Sequence, residues 1–441
     1  MAGMTGETEK GRAGGVFNGR IFYGWYIVGA SFAILFFNAG ARYCFGVMFK
    51  PIAAEFGWSR AAISLVSSVN MVVFALGLMV VGKVYDRYGP KWVILVSTLL
   101  ISSGFVMTSL MHSLGQFFFS YGVLAALGVA GTGVPLMATL TSKWFDKRRG
   151  LAISLSLSGN SMGQFLLVPS LSWIAVGFGW RASYRSIGIV MLVVNVLLAL
   201  FVIKGDPQHL GLAPLPDKGG LSKEGGPKAP LTQLEAGRDF GLRQAMATPS
   251  YWLFLILMFV CGGGDYFATT HFIPLATDNG ILPFTAGTML GWYGAMSLAG
   301  ILIAGPAADR IGNKVPIFLT FMLRFFLFLL ILRYKNLGSF YLFALAFGFT
   351  HLITAPLTPM LIVRMYGAAN LGILTGFVNT VHFLGGAAAV YMGGLVYDRT
   401  GSYQLAIGVS AVAALVAVAC CLGIRERWHG QPVEASLMSC M

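Results

Sequence analysis

The chain reads as a succession of apolar runs, twelve in all, each about 20 residues or more and so long enough to cross a hydrocarbon core as a helix. They fall at roughly 22–48, 61–82, 92–112, 116–140, 150–177, 184–203, 250–275, 285–306, 315–333, 339–361, 370–395 and 403–424. Hydrocarbon offers a backbone amide no partner, so such runs must close their hydrogen bonds internally. The expected fold is an all-α membrane protein with twelve transmembrane helices. Only 10% of residues are charged, against about 25% in soluble domains. Cys44, Cys261, Cys420, Cys421 and Cys440 show neither metal spacing nor a paired framework, so no metal is expected.

Repetition narrows the architecture. Residues 40–91 recur as 263–314 at one constant offset. Gly40 falls on Gly263, Tyr43 on Tyr266, Phe49 on Phe272, Pro51 on Pro274, Ala53 on Ala276, Gly57 on Gly280 and Gly77 on Gly300. Gly82 then falls on Gly305, and Asp86-Arg87-x-Gly89-x-Lys91 on Asp309-Arg310-x-Gly312-x-Lys314. An ungapped register of that length marks an internal duplication. The interval 205–248 is rich in Pro, Gly and mixed charge and reads as a linker. Two pseudo-symmetric six-helix bundles follow, 21–204 and 249–424, with tails at 1–20 and 425–441.

Lys and Arg set the expected orientation. One side collects Lys83, Arg87, Lys91, Lys143, Lys147, Arg148, Arg149, Arg310, Lys314, Arg364, Arg399 and the chain ends. The other holds Lys50, Arg60, Arg181, Arg185, Arg333 and Lys335. The richer side is cytoplasmic by the positive-inside rule, which places both termini and the linker there, in a multi-pass protein of the cell (inner or plasma) membrane. The net charge of +14 is accounted for by those loops, and nucleic acid is not an expected partner.

Gly82-x3-Asp86-Arg87-x-Gly89-x-Lys91, its copy from Gly305 and a partial echo, Gly394-x3-Asp398-Arg399-x-Gly401, resemble the loop signature of the major facilitator superfamily. Tyr23-Gly24-Trp25, Phe45-Gly46-Val47, Glu55-Phe56-Gly57-Trp58-Ser59-Arg60 and Trp144-Phe145-x3-Arg149-Gly150-Leu151-Ala152, with Gly159 and Gly163, are similar to monocarboxylate transporters and oxalate–formate antiporters. The resemblance implies alternating access, one half rocking on the other, and makes the Asp-Arg loops gates: Asp86, Arg87, Asp309, Arg310 and, beside them, Arg149. The chain departs from that branch in helix 8. Where those carriers have an Arg and an Asp one turn apart, it has Ile301 and Ser297. Their first-helix lysine would align at about Tyr43, next to Arg42.

Inside the repeat, Arg42 falls on Asp265, two opposite charges at equivalent places in apolar helices. A charge at mid-bilayer costs about 2.5–3.5 kcal/mol on insertion scales and normally faces a cavity or a partner. The expectation is that Arg42 binds an anionic substrate and that Asp265 is its counter-ion and a proton acceptor; the plain alternative is a fixed structural pair, or an Arg42 that snorkels. Further substrate-facing candidates are Asn38, Tyr43, Asn160, Gln164, Tyr293, Asn379 and His382, with His382 also a proton site. The stripes Ser156-Asn160-Gly163-Gln164, Thr375-Asn379-His382-Gly386 and His351-Thr354-Thr358 each share a helical face, though such stripes equally glue helices together. His271 reads chiefly as a hydrogen-bonded packing residue. Arg324 reads as a peripheral snorkelling or structural residue of helix 9. No phosphate-cradling Gly-x4-Gly-Lys, no His-Glu-x-x-His and no nucleophile elbow point to an enzyme or a cofactor. The reading is a monomeric secondary transporter of a small organic anion, a monocarboxylate first, by proton coupling or exchange. An exporter of amphipathic or aromatic compounds and a non-transporting membrane sensor are the alternatives.

Overall fold

A computed structural model describes residues 22–145, 149–205, 207, 240–367 and 369–425. Eleven of its helices are long and apolar enough to cross a membrane. One of them, Arg60–Ser109, has 50 residues; at 1.5 Å per residue it would reach about 75 Å, more than twice a hydrocarbon core of about 30 Å. It breaks at Gly89, whose φ of 78° and ψ of 168° lie outside helical space. It therefore supplies two spans, and the expected twelve are present. In chain order they are α1 Tyr23–Phe56, α2 60–88, α3 90–109, α4 Leu114–Ser142, α5 Gly150–Phe178, α6 Trp180–Val202, α7 Pro249–Asp278, α8 Pro283–Ile311, α9 Lys314–Arg333, α10 Leu337–Tyr366, α11 Leu371–Thr400 and α12 Gln404–Gly423. No strand occurs among the described residues.

The duplication is visible in the backbone. Gly89 and Gly312 share a φ of 78° and separate α2 from α3 and α8 from α9. Gly57 and Gly280, and Gly179 and Gly401, are further equivalent pairs with positive φ, a region that side chains with a Cβ rarely enter. Within the halves α1 packs on α5 and α7 on α11. Gly163 lies so close to the Phe36 carbonyl, and Gly385 to that of Phe259, that a Cβ at either would collide with backbone. The sequence repeat thus encodes the same helix crossing twice.

The halves meet along α2 with α11 and α5 with α8. Ser68 Oγ donates to the Ala387 carbonyl (2.6 Å), Ser161 and Ser297 share a hydrogen bond (2.9 Å), and Ser172 Oγ donates to the Pro283 carbonyl (3.3 Å). At the end of the bundle that carries Arg60, Asp278 takes both Lys50 (2.8 Å) and Arg60 (2.6 Å) from the other half. There Asp398 accepts from the first amides of α2, Arg60 N (3.0 Å) and Ala61 N (2.7 Å). Arg399 therefore lies at the Arg60 face, which corrects the sequence reading that puts it on the face of Arg87 and Arg310. The echo of the loop signature misleads, because α11 runs from the Asp86 face to the Arg60 face and its end is opposite to that of α2.

Asp86, Arg87, Asp309 and Arg310 are exposed at the other face. The cross-half hydrogen bonds and ion pairs just named lie between mid-span and the Arg60 face. The tails 1–20 and 426–441 and most of the linker lie outside the described residues. Its last part, 240–248, carries a short helix, Leu242–Met246, held where Phe240 N donates to the Tyr366 carbonyl (3.0 Å).

Candidate substrate and coupling site

Each half contributes an interrupted helix to the centre. The first arm of α1 ends at Tyr43, so Arg42 and Tyr43 occupy its last turn. The first arm of α10 ends at His351, and helix resumes at Thr354. A helix end leaves carbonyls without helical partners, and side chains at such ends project into the space between the halves.

Asp265 is buried on α7 at 2% exposure. Its partner is Arg324 of α9, 1% exposed, with Nη2 2.7 Å from Oδ1. Arg324 also donates from Nε to Thr350 Oγ1 and from Nη2 to the Thr350 carbonyl, both at 3.1 Å. Cys261, one turn before Asp265, has its Sγ 3.5 Å from Oδ2. Two imidazoles complete the shell: His351 Nδ1 lies 3.2 Å from Oδ1 and His382 Nε2 lies 3.4 Å from Oδ2.

Arg42 is half-buried and stands apart from this acid. Its Nη2 donates to the Tyr266 hydroxyl at 3.0 Å. Its guanidinium carbon sits 5.0 Å from the Phe74 ring centroid, 5.1 Å from Tyr266 and 5.7 Å from Phe383, a cation–π enclosure from α2, α7 and α11. Among the described residues no carboxylate lies within 4.0 Å of it. The expected Arg42–Asp265 pair is therefore not formed, and the acid belongs to Arg324. Arg324 makes the structural contact foreseen for it, but at the core of the half rather than at its periphery.

Other candidates divide between centre and packing. Tyr43 (3.3 Å) and Tyr293 (2.9 Å) both reach His351, and Asn160 lies close to the Tyr43 hydroxyl. Asn379 is half-buried one turn from His382 on α11. Asn38 donates to the carbonyl and hydroxyl of Thr132 at 2.8 Å, which ties α1 to α4. Gln164 is buried with Nε2 3.4 Å from the Leu290 carbonyl, an α5–α8 contact. His271 bonds Tyr403 and the Val390 carbonyl, as a packing residue does. The side chain of Arg149 lies outside the described residues. Two strings do have the spacings that the sequence reading counts as absent. Gly159-Asn160-Ser161-Met162-Gly163 fits Gly-x-Ser-x-Gly, but it lies inside α5 rather than at a strand-to-helix turn. Gly77-x4-Gly82-Lys83 fits Gly-x4-Gly-Lys, but Val84 follows where a hydroxyl is needed, and the string is helix within α2 rather than a phosphate loop. Sequence reasoning missed Arg324 as the partner and His351 as the hub. The available signal was arithmetic: two mid-span cations, Arg42 and Arg324, and one mid-span acid.

The family model of the Major Facilitator Superfamily matches residues 31–281 and 255–437. An uncharacterised MFS-type transporter, YcxA, of Bacillus subtilis is 27% identical over 89% of this chain and 94% of its own length. Human monocarboxylate transporter 11 is 28% identical over 86% of this chain and 78% of its own. Among solved structures, a bacterial homologue of the human lysosomal transporter Spinster, inward-facing and unoccupied, superposes with a TM-score of 0.67 at 15% identity, covering 91% of this chain and 95% of that one. A point mutant of the nucleoside transporter NupG gives 0.69 at 12%, covering 92% and 100%. With twelve spans in two repeated halves and this match along both of them, the chain belongs to the Major Facilitator Superfamily of membrane transporters, not to an enzyme family.

Proposed function

We propose that the chain is a secondary carrier of a small organic anion, a monocarboxylate first, and that Arg42 is the residue that takes the carboxylate. One observation carries this reading: a mid-span guanidinium with aromatic faces and a tyrosine hydroxyl around it, and no carboxylate among the described residues to neutralise it. A guanidinium has five donors, and an arriving carboxylate would supply the missing charge and a bidentate partner. Arg42 takes over the part of the absent helix-8 arginine, whose place is held by Ile301. Likeness to human monocarboxylate transporter 11 supports the substrate class. Tyr43, Asn160, Tyr293, Asn379 and His382 line the same region, and the proton is held in the cluster around Asp265, where His351 and His382 both reach the carboxylate. The Asp86 face is the cytoplasmic one, with both termini, and the closed Arg60 face with the exposed Asp-Arg loops corresponds to a state open to the cytoplasm.

The test is uptake of labelled lactate, pyruvate and benzoate into proteoliposomes, with and without an inward proton gradient. Arg42→Ala is expected to reduce uptake by about 10- to 150-fold, the loss of a charge-assisted anion contact, with insertion and melting temperature near those of the parent. Uptake in that variant within about 3-fold of the parent would refute the assignment.

A further inference from the structure

We propose that His351 is the residue through which a proton held in the C-terminal half is felt at the anion site of the N-terminal half. The inference rests on Arg42 being that anion site. His351 is 6% exposed and faces three oxygens from three helices: Tyr43 OH of α1 at 3.3 Å from Nε2, and Tyr293 OH of α8 at 2.9 Å and Asp265 Oδ1 of α7 at 3.2 Å from Nδ1. A neutral imidazole has one N–H and one bare nitrogen, and an imidazolium has two N–H groups. In the neutral form with the proton on Nδ1, that N–H serves Tyr293 or Asp265 and bare Nε2 accepts from the Tyr43 hydroxyl. A proton taken from water of the cavity fills Nε2. The bond then reverses, because Nε2 donates to the Tyr43 oxygen and the Tyr43 proton must point elsewhere.

Elsewhere is Asn160, close to the Tyr43 hydroxyl, or the small cleft that Tyr43 lines together with Arg42. A hydroxyl proton released from His351 becomes a donor for a carboxylate held by Arg42. The charge balance runs the same way. The ionisable groups in contact with His351 are Tyr43 from α1, Tyr293 from α8 and Asp265 from α7; around that same Asp265 stand Arg324 from α9, His382 from α11 and the Cys261 thiol from α7, and Arg42 precedes Tyr43 on α1. Asp265 and Arg324 offset one another, so a proton on His351 adds a second positive charge to that of Arg42 in a largely buried centre. Like charges in such a place are costly. An anion on Arg42 cancels one of the two, so each ligand raises the occupancy of the other, as reciprocal linkage requires. Tyr43–His351 is also a polar bond between the halves, so the proton acts on a contact that the rocking motion must break.

The experiment uses the full chain in proteoliposomes with labelled lactate, pyruvate and benzoate. Two modes are measured: net uptake driven by an inward proton gradient, and exchange against the same carboxylate inside without a gradient. His351→Gln keeps a polar side chain that cannot titrate. It is expected to lose about 10-fold or more of gradient-driven uptake while exchange falls by no more than about 3-fold, a split within the usual range of coupling between two sites. His351→Asn, shorter and likewise unable to carry a proton, decides by the same criteria if His351→Gln fails to insert. A parental gradient response in the inserted variant, or loss of both modes in equal proportion, overturns the proposal. If the parent moves none of the three carboxylates in either mode, the anion reading of Arg42 falls first and this inference falls with it.

Discussion

Asp265 and Arg324 illustrate how much a single residue's identity reveals. That Asp265 must have a partner of opposite charge was legible, because a lone mid-span charge is costly, whereas Arg324 read as a snorkelling or structural residue. Which partner was not legible. The constant offset that relates Arg42 to Asp265 makes them equivalent under the repeat, and equivalence in a two-fold arrangement gives equal depth, not proximity. The nearer cation for an acid on α7 is on another helix of its own half. Both partners are almost fully buried, at 2% and 1% exposure, so removing one strands the other. Arg324→Gln and Asp265→Asn are each expected to destabilise the protein by about 3–5 kcal/mol, and the double variant to recover most of that because no uncompensated charge is left. Thermal unfolding in detergent measures all three. A double variant that melts as low as the worse single variant would show that something other than mutual neutralisation holds these side chains in place.

Among the elements, the helices were written plainly in hydropathy, and their breaks only in part. Gly89 and Gly312 were marked by the repeated loop signature. The interruption of α4 at Gly133, where φ is −84° and ψ 176°, falls among glycines that a sequence reader notices. The interruption of α10 after His351 has no glycine in it, and it is the one that positions the hub. The α1–α5 and α7–α11 crossings are the other element-scale device. At Gly163 and Gly385 the obstacle to a Cβ is a carbonyl of the partner helix, Phe36 or Phe259, and backbone yields less easily than a side chain. Gly163→Ala and Gly385→Ala are each expected to destabilise by about 1–3 kcal/mol, the usual cost of overpacking. Because the sites lie in different halves with no shared partner, the two losses should add. Equilibrium unfolding that finds one glycine dispensable and the other not would mean that the duplicated crossing no longer has the same role in both halves.

For the whole molecule the sequence specified two halves but not how they stand. That depends on which face carries the stronger cross-half contacts, and charges in loops report their side of the membrane without naming their partners. Here the Arg60 face is fastened by Asp278, which receives Lys50 and Arg60, and by Asp398 at the start of α2. Lys50 is 38% exposed and Arg60 13%, so water screens the first pair more than the second, and each partly exposed pair contributes only about 0.2–1 kcal/mol. The cap adds about 1 kcal/mol. Two such contacts suffice, because about 1.4 kcal/mol shifts an equilibrium between two arrangements tenfold. Asp278→Ala removes both pairs at once and should raise the population open at the Arg60 face by roughly 2- to 30-fold. Ser67 reports it: it is 5% exposed and lines the small cleft beside Arg42, Tyr43 and Tyr266. Ser67→Cys, in a background without the native cysteines, should be labelled by an impermeant thiol reagent from the Arg60 face faster by that factor when Asp278 is replaced. A labelling rate indifferent to Asp278 would mean that the ion pairs decorate a face held shut by the apolar packing beneath them, and the lock would then have to be sought in α2 with α11 and α5 with α8.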